Sequence, residues 1–219
     1  MYPHLIENSY IKIKPDGDIA SFVFNKVRTN VDINETACEI LKYCNGYYDI
    51  DEIIKKVSIN HGISIETARM NVEEFLMPLA EMGAIIDKKE NMNKTIVKGS
   101  KEIYYPDNII WELTTQCPLR CKHCYLPNKE PIFIKRDEID KILDIIDRTG
   151  VYSVQLTGGE ALLHSDLLYI VEHLIESNIH IALSTSGMIL NTMAKNVFVK
   201  VMLIEKCSLM EVVFKNIKS

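Results

Sequence analysis

Cys117-Pro-Leu-Arg-Cys121-Lys-His-Cys124 places three thiols on one short stretch, spaced C-x3-C-x2-C. Three thiolates on one loop can hold three corners of a cubane iron–sulfur cluster, which leaves the fourth iron open to substrate or cofactor. A structural zinc ion would want a fourth ligand. His123 is the candidate, but its adjacency to Cys124 is poor geometry for sharing one tetrahedral ion. Three buried free cysteines are the remaining alternative. The other cysteines stand apart: Cys38 and Cys44 fall in a helical stretch and read as core, and Cys207 is isolated. His4, His61, His164, His173 and His180 match no ligand spacing and read as ordinary.

The elements around this loop alternate strand and helix. Ile109 to Leu113 (IIWEL) reads as a strand that feeds the cysteine loop. Residues 136 to 149 form an amphipathic helix with Ile139, Ile142, Leu143, Ile145 and Ile146 on one side. Val151 to Leu156 is a second strand, ending in Thr157-Gly158-Gly159-Glu160. A helix spans about Asp166 to Ser177, and His180 to Ser184 is a third strand ending in Thr185-Ser186-Gly187. Such a β-α-β-α-β succession predicts a parallel sheet. In parallel sheets the chemistry collects at the C-terminal strand ends. The cysteines, Gly-Gly-Glu and Thr-Ser-Gly all fall there. Taken alone, Gly158-Gly159 reads as a strand-to-helix turn and Glu160 as a first-turn acid favoured by the helix dipole.

The 219 residues are 47% hydrophobic and 25% charged, which suits one or two domains with real cores and disfavours disorder. A net charge of -5 disfavours a globally basic nucleic-acid binder. No run of eighteen apolar residues exists and the first residues lack a signal-peptide pattern, so the cytoplasm is the expected address. A lysine-rich polar stretch, Asp87 to Glu102, divides two textures. We place an N-terminal domain in residues 1–88, a linker in 89–106 and a second domain in 107–219.

In the first domain Tyr10 to Lys14 alternates like a half-buried strand, Pro15 to Asp18 is a turn, and Ala20 to Asn25 returns. Thr29 to Ile33 is a plausible third strand. Three helices follow. The first runs from about Asn34 to Tyr43. Asp49 with Glu52 forms a capping box for the second, and Ser64 caps the third, whose last turn Pro78 should kink. Ala84 to Ile86 could return to the sheet. Strands plus three helices resemble a winged helix-turn-helix. The third helix, however, holds Arg69 against Glu66, Glu73, Glu74 and Glu81, and phosphate would repel it.

The cysteine motif after the first strand and Gly158-Gly159-Glu160 after the second, from about Ile109 to Leu190, resemble the radical S-adenosylmethionine enzymes. CPLRCKHCY looks like members that modify peptides. The resemblance implies that Cys117, Cys121 and Cys124 ligate a 4Fe–4S cluster and that S-adenosylmethionine chelates its open iron. It implies that Gly158, Gly159 and Glu160 line the methionyl moiety and bind its ammonium. His123 would lie near the adenine, and Ser184 and Ser186 would contact the cofactor. The implied chemistry is reductive cleavage of the cofactor to a 5′-deoxyadenosyl radical that abstracts a substrate hydrogen. An electron donor such as flavodoxin or ferredoxin is implied with it.

Val31 to Val57 and Val72 to Ile85 resemble the PqqD-like recognition domain of ribosomal-peptide maturases, which binds a leader peptide as an added strand. The fold expected is therefore an α+β winged helix-turn-helix domain followed by an α/β partial (β/α) barrel. That barrel is incomplete, with about three βα units, and residues 191–219 are atypical of the family. The expected Ser-Leu-Asp-Gly-like fourth strand end is missing, Val197 to Ile204 is only a weak strand candidate, and the chain reads as truncated. The function expected is a radical enzyme, or a fragment of one, acting on a ribosomally made peptide. The alternative is a non-enzymatic leader-binding adaptor with a degenerate barrel. A zinc-dependent DNA-binding regulator is a third reading, opposed by the acidic third helix.

Overall fold

The computed structural model describes residues 1–7, 9–15, 20–24, 29–90, 94–126, 130–189 and 210–214. They fall into two units, Met1–Tyr105 and Pro106–Ser219. The expected turn at Pro15 to Asp18, the strand candidate Val197 to Ile204, and Cys207 lie wholly or partly outside the described residues.

The first unit begins with β1 (Pro3–Leu5), β2 (Tyr10–Ile13), β3 (Ala20–Phe24) and β4 (Thr29–Ile33). Antiparallel pairing runs from Tyr10 opposite Val23 to Ile13 opposite Ala20, then from Ala20 opposite Ile33 to Phe24 opposite Thr29. Helices α1 (Glu35–Tyr43), α2 (Ile50–His61) and α3 (Ile65–Glu81) follow. Each start is chemically specified. Asn34 accepts the Ala37 amide, Asp49 and Glu52 complete a reciprocal capping box, and Ser64 accepts the Thr67 amide. The α3 helix runs on past Pro78 to Glu81. Ile11, Phe22 and Ile33 from the sheet meet Ile40, Leu41, Ile53, Val57, Val72 and Leu76 from the helices in one core.

Two pairings depart from expectation. The strand after α3, β5 (Ile85–Asp87), pairs with β1 and not with the β2–β4 meander. The polar stretch read as linker contains β6 (Val97–Gly99), which adds in parallel to β2 from Ile11–Val97 to Ile13–Gly99. The sheet order is therefore β4-β3-β2-β6. The lysine-rich composition hid this strand because three residues on a sheet edge need only backbone hydrogen bonds, not an apolar pattern.

The second unit contains β7 (Asn108–Thr114), α4 (Arg136–Thr149), β8 (Ser153–Gly158), α5 (Leu167–Glu176), β9 (His180–Thr185) and β10 (Met210–Phe214). These described strands pair in parallel, in the order β10-β9-β8-β7. The fourth strand, β10, is one that the sequence pattern did not single out. It lies beyond the Val197 to Ile204 candidate and pairs with β9 from Met210–Ile181 to Phe214–Thr185.

Leu167, Ile170, Val171, Leu174 and Ile175 form the buried stripe of α5 at the i, i+3, i+4 spacing of a helix. Ile139, Leu143 and Ile146 do the same on α4, but Ile145 is 48% exposed. At about 100° per residue Ile145 projects roughly 100° away from that stripe, which takes it off the buried face expected of it. On β9, Ile181, Leu183, Ser184 and Thr185 are all buried, as in a parallel sheet covered on both faces.

Candidate active site

The three cysteines follow the C-terminal end of β7, as the sequence required. A return segment clamps the base of their loop. The Thr115 amide donates to the Ile132 carbonyl at 3.0 Å, and the Ile134 amide donates to Leu113 at 3.1 Å. The Thr114 hydroxyl donates to the same Ile132 carbonyl at 2.7 Å. His164, read as ordinary, ties this return segment to the chain after β8. It is 1% exposed, its Nε2 lies 3.0 Å from the Ile134 carbonyl, and its Nδ1 accepts the Asp166 amide at 3.1 Å. That pair of contacts selects the neutral tautomer with the proton on Nε2.

Cys117 is partly exposed, and Cys121 and Cys124 are exposed free thiols. The Cys124 amide donates to the Cys121 carbonyl at 3.0 Å, which folds the second half of the motif into a turn. His123 is exposed on that turn. The Tyr125 hydroxyl donates to Glu112 of β7 at 2.5 Å. That hydrogen bond, with some burial and the neighbouring negative charge, pushes the Tyr125 phenol up to about 12. Among the described residues no three His, Cys, Asp or Glu side chains converge as a metal-binding group. The three thiols share one exposed loop, so by type and placement they suit a cluster that takes three thiolates, which would have to draw them together.

Gly158 and Gly159 are buried against this loop. A Cβ on Gly158 would lie 2.3 Å from the Thr114 carbonyl oxygen, and the residue has φ +123. A Cβ on Gly159 would lie 2.2 Å from the Gln116 oxygen and 2.6 Å from its carbonyl carbon. The Gly159 amide donates to Thr114 at 2.7 Å and the Glu160 amide to Gln116 at 2.8 Å. The paired glycines are thus needed for backbone-to-backbone contact with the segment that leads into the cysteines.

Glu160 is fully buried. Its Oε1 accepts the Thr185 hydroxyl at 2.8 Å and the Leu162 amide at 3.3 Å. Its Oε2 accepts the Ser186 amide at 2.8 Å and the Ser186 hydroxyl at 2.5 Å. Burial pushes the Glu160 carboxyl upward, but the hydrogen bonds from Ser186, Thr185 and Leu162 outweigh it and hold it below the usual range. Ser184 serves elsewhere: buried in β9, its hydroxyl accepts from the Gln155 amide at 2.9 Å. The structure therefore gathers Glu160 with Ser186, and adds Thr185, which the sequence reading passed over. A threonine at the end of a buried strand, beside a carboxylate one crossover earlier, was the signal available.

Three loops thus meet at the C-terminal ends of adjacent parallel strands, the arrangement of an α/β ligand site. Residues 111–204 match the Radical SAM superfamily, and residues 22–85 match Coenzyme PQQ synthesis protein D (PqqD). The chain thus carries a stretch that matches the Radical SAM superfamily after one that matches PqqD. It is 22% identical over 196 residues to the antilisterial bacteriocin subtilosin biosynthesis protein AlbA of Bacillus subtilis, covering 85% of this chain and 44% of that one. It is 33% identical over 89 residues to the PqqA peptide cyclase of Rhodopseudomonas palustris, covering 39% of this chain and 24% of the relative. Streptococcus suis SuiB bound to S-adenosylmethionine shares the fold at TM-score 0.59 and 15% identity, over 96% of this chain and 47% of SuiB. SuiB bound to precursor peptide SuiA superposes equally well, at TM-score 0.59 over 97% of this chain. The chain spans less than half the length of these relatives. No helix among the described residues is long and apolar enough to cross a membrane.

Proposed function

We propose that this chain acts in the maturation of a ribosomally made peptide, capturing its leader on the N-terminal unit and modifying it by radical chemistry at the strand ends of the second. The observation that carries the reading is the clamped loop of Cys117, Cys121 and Cys124 packed against Gly158-Gly159-Glu160. In this reading the three cysteines hold a 4Fe–4S cluster. Bound there, the cluster and S-adenosylmethionine supply a 5′-deoxyadenosyl radical able to abstract a substrate hydrogen.

The chain's own residues would hold and orient the cofactor. Glu160 stays ionised at neutral pH and presents negative charge where an ammonium is to bind. Its oxygens already accept four hydrogen bonds, so an incoming ammonium replaces one of them. The 3.3 Å contact from Leu162 is the longest of the four. Gly158 and Gly159 keep this turn close to the cysteine loop, and Ser186 offers a hydroxyl beside the carboxylate. His123 on the exposed turn is the proposed adenine neighbour. Ser184, committed to Gln155, fits a supporting role better than direct contact.

The N-terminal unit is read as a winged helix-turn-helix variant specialised for peptides, with β4 as the edge that takes an added strand. The proposed setting is the cytoplasm, where thiols stay reduced and a flavodoxin or ferredoxin can donate electrons. Titrating the S-adenosylmethionine-loaded, reduced protein with precursor peptide and following 5′-deoxyadenosine tests the activity. Production that depends on Cys117, Cys121 and Cys124 supports the reading. Peptide binding without cofactor cleavage favours the adaptor alternative.

A further inference from the structure

The first unit has a groove whose chemistry restricts what it can hold. The inference drawn from it rests on the reading that this unit captures a peptide as an added strand. At one end of the sheet the outer edge of β2 is already taken by β6. At the other end lies β4, paired with β3 on one side. The period of two along β4 places Val31 on the face of Ile33. Ile33 is 5% exposed and belongs to the core, whereas Val31 is 40% exposed.

Immediately after β4, α1 and α3 flank an open groove of about 500 Å³. Ala37, Ile40 and Phe75 give it an apolar floor, and Asn34, Thr36, Asn71 and Glu74 are the polar groups around it. The floor suits an aliphatic or aromatic side chain. Glu74 is the one ionisable group among the described lining residues.

The helix that carries Glu74 is acidic along its length, although Glu74 is its one acid on the groove. Glu66, Glu73, Glu74 and Glu81 on α3 face a single Arg69, which is already paired with Asp51 at 2.8 Å and Glu73 at 3.3 Å. Lys14 is likewise paired with Asp32 of β4 at 2.8 Å. The first turn of α1 would attract an anion through its free amides. There, however, Asn34 accepts the Ala37 amide, and Glu35 supplies a negative charge.

We infer that the peptide taken at this edge carries a lysine or arginine next to a large apolar residue, the apolar side chain filling the groove and the cation lying by Glu74. An acidic segment is disfavoured, because like charges across an interface are repelled.

The probe is a phage-displayed library of random dodecapeptides, selected on the full chain and in parallel on Glu74→Lys. Glu74 is exposed, so its replacement leaves the fold intact, which circular dichroism confirms. The wild-type pool should enrich Lys or Arg within two positions of Leu, Ile or Phe. Synthetic winners should bind Glu74→Lys roughly three- to tenfold more weakly, and the variant's own pool should turn toward Asp and Glu. Winners that are acidic, or indifferent to Glu74→Lys, overturn the inference. If such winners are nonetheless lost on Asn71→Trp, which fills the groove, the peptide-capture reading stands and only the charge preference falls. No winner from either selection overturns the peptide-capture reading and the inference together. Self-association in sedimentation that weakens with Glu74→Lys would assign the groove to a second copy of this chain, and would also overturn it.

Discussion

Glu160 and Ser186 are joined twice: one carboxylate oxygen accepts both the Ser186 amide, at 2.8 Å, and its hydroxyl, at 2.5 Å. The contact fastens the turn after β8 to the end of β9, two of the three loops on which the proposed site depends. Because Glu160 is fully buried, its ionised form survives only through these donors.

The pH dependence follows with a definite sign. The folded carboxyl of Glu160 lies below its ordinary value. Its contribution to stability is therefore fully present above the unfolded pKa, about 4.3, and is lost as pH falls through the lower folded value. Glu160→Gln turns an amide N–H₂ toward donors and should cost about 2 to 3 kcal/mol at pH 7. The cost should shrink toward pH 3. Urea denaturation of both proteins between pH 7 and 3 checks this, and a constant difference would contradict it.

The glycines provide a contrast within one molecule. Gly159→Ala would drive a Cβ to 2.2 Å from the Gln116 oxygen, and Gly158→Ala to 2.3 Å from that of Thr114. Backbone cannot yield as a side chain tip does, so each should lose about 2 to 4 kcal/mol. Gly62 also has positive φ, +61, but nothing lies within 4 Å of an added Cβ. Gly62→Ala should cost only about 1 to 2 kcal/mol of backbone strain. Chemical denaturation orders the three.

His164 links the cysteine-loop clamp to the chain after β8 through two hydrogen bonds. His164→Leu keeps the bulk but strands the Ile134 carbonyl and the Asp166 amide, at a cost of about 2 to 3 kcal/mol. Thermal melting should show the loss. An unchanged melting temperature would mean that the clamp holds without it.

Each of Cys117→Ala, Cys121→Ala and Cys124→Ala should lower bound iron from about four per chain to a small fraction, since a cubane held by three thiolates has none to spare. Cys38→Ala and Cys44→Ala, both buried in the first core, should leave iron content unchanged. Iron and sulfide analysis after anaerobic reconstitution separates the two groups.

Much of this was legible in the sequence because local chemistry specified it. The capping box of Asp49 and Glu52, the Ser64 cap and the buried stripe of α5 each follow from side chains and spacing alone. The positions of the cysteines and of Gly-Gly-Glu at strand ends were readable for the same reason. What escaped depends on distant partners. Val97–Gly99 became a strand because the edge of β2 was open to it, and Ile85–Asp87 turned to β1. Thr185 and His164 acquired roles from residues 25 and 30 positions away. Ser184 and Ser186 looked alike in sequence, yet one serves Gln155 and the other Glu160.

The central claim is that this loop carries a redox cluster to which S-adenosylmethionine binds. The most direct measurement is electron paramagnetic resonance of the anaerobically reconstituted and reduced chain, with and without S-adenosylmethionine. The account predicts a cubane signal that changes when S-adenosylmethionine is added and is absent from the triple variant Cys117→Ala, Cys121→Ala, Cys124→Ala. No cubane signal, or one that is indifferent to both the cofactor and the three substitutions, would contradict it.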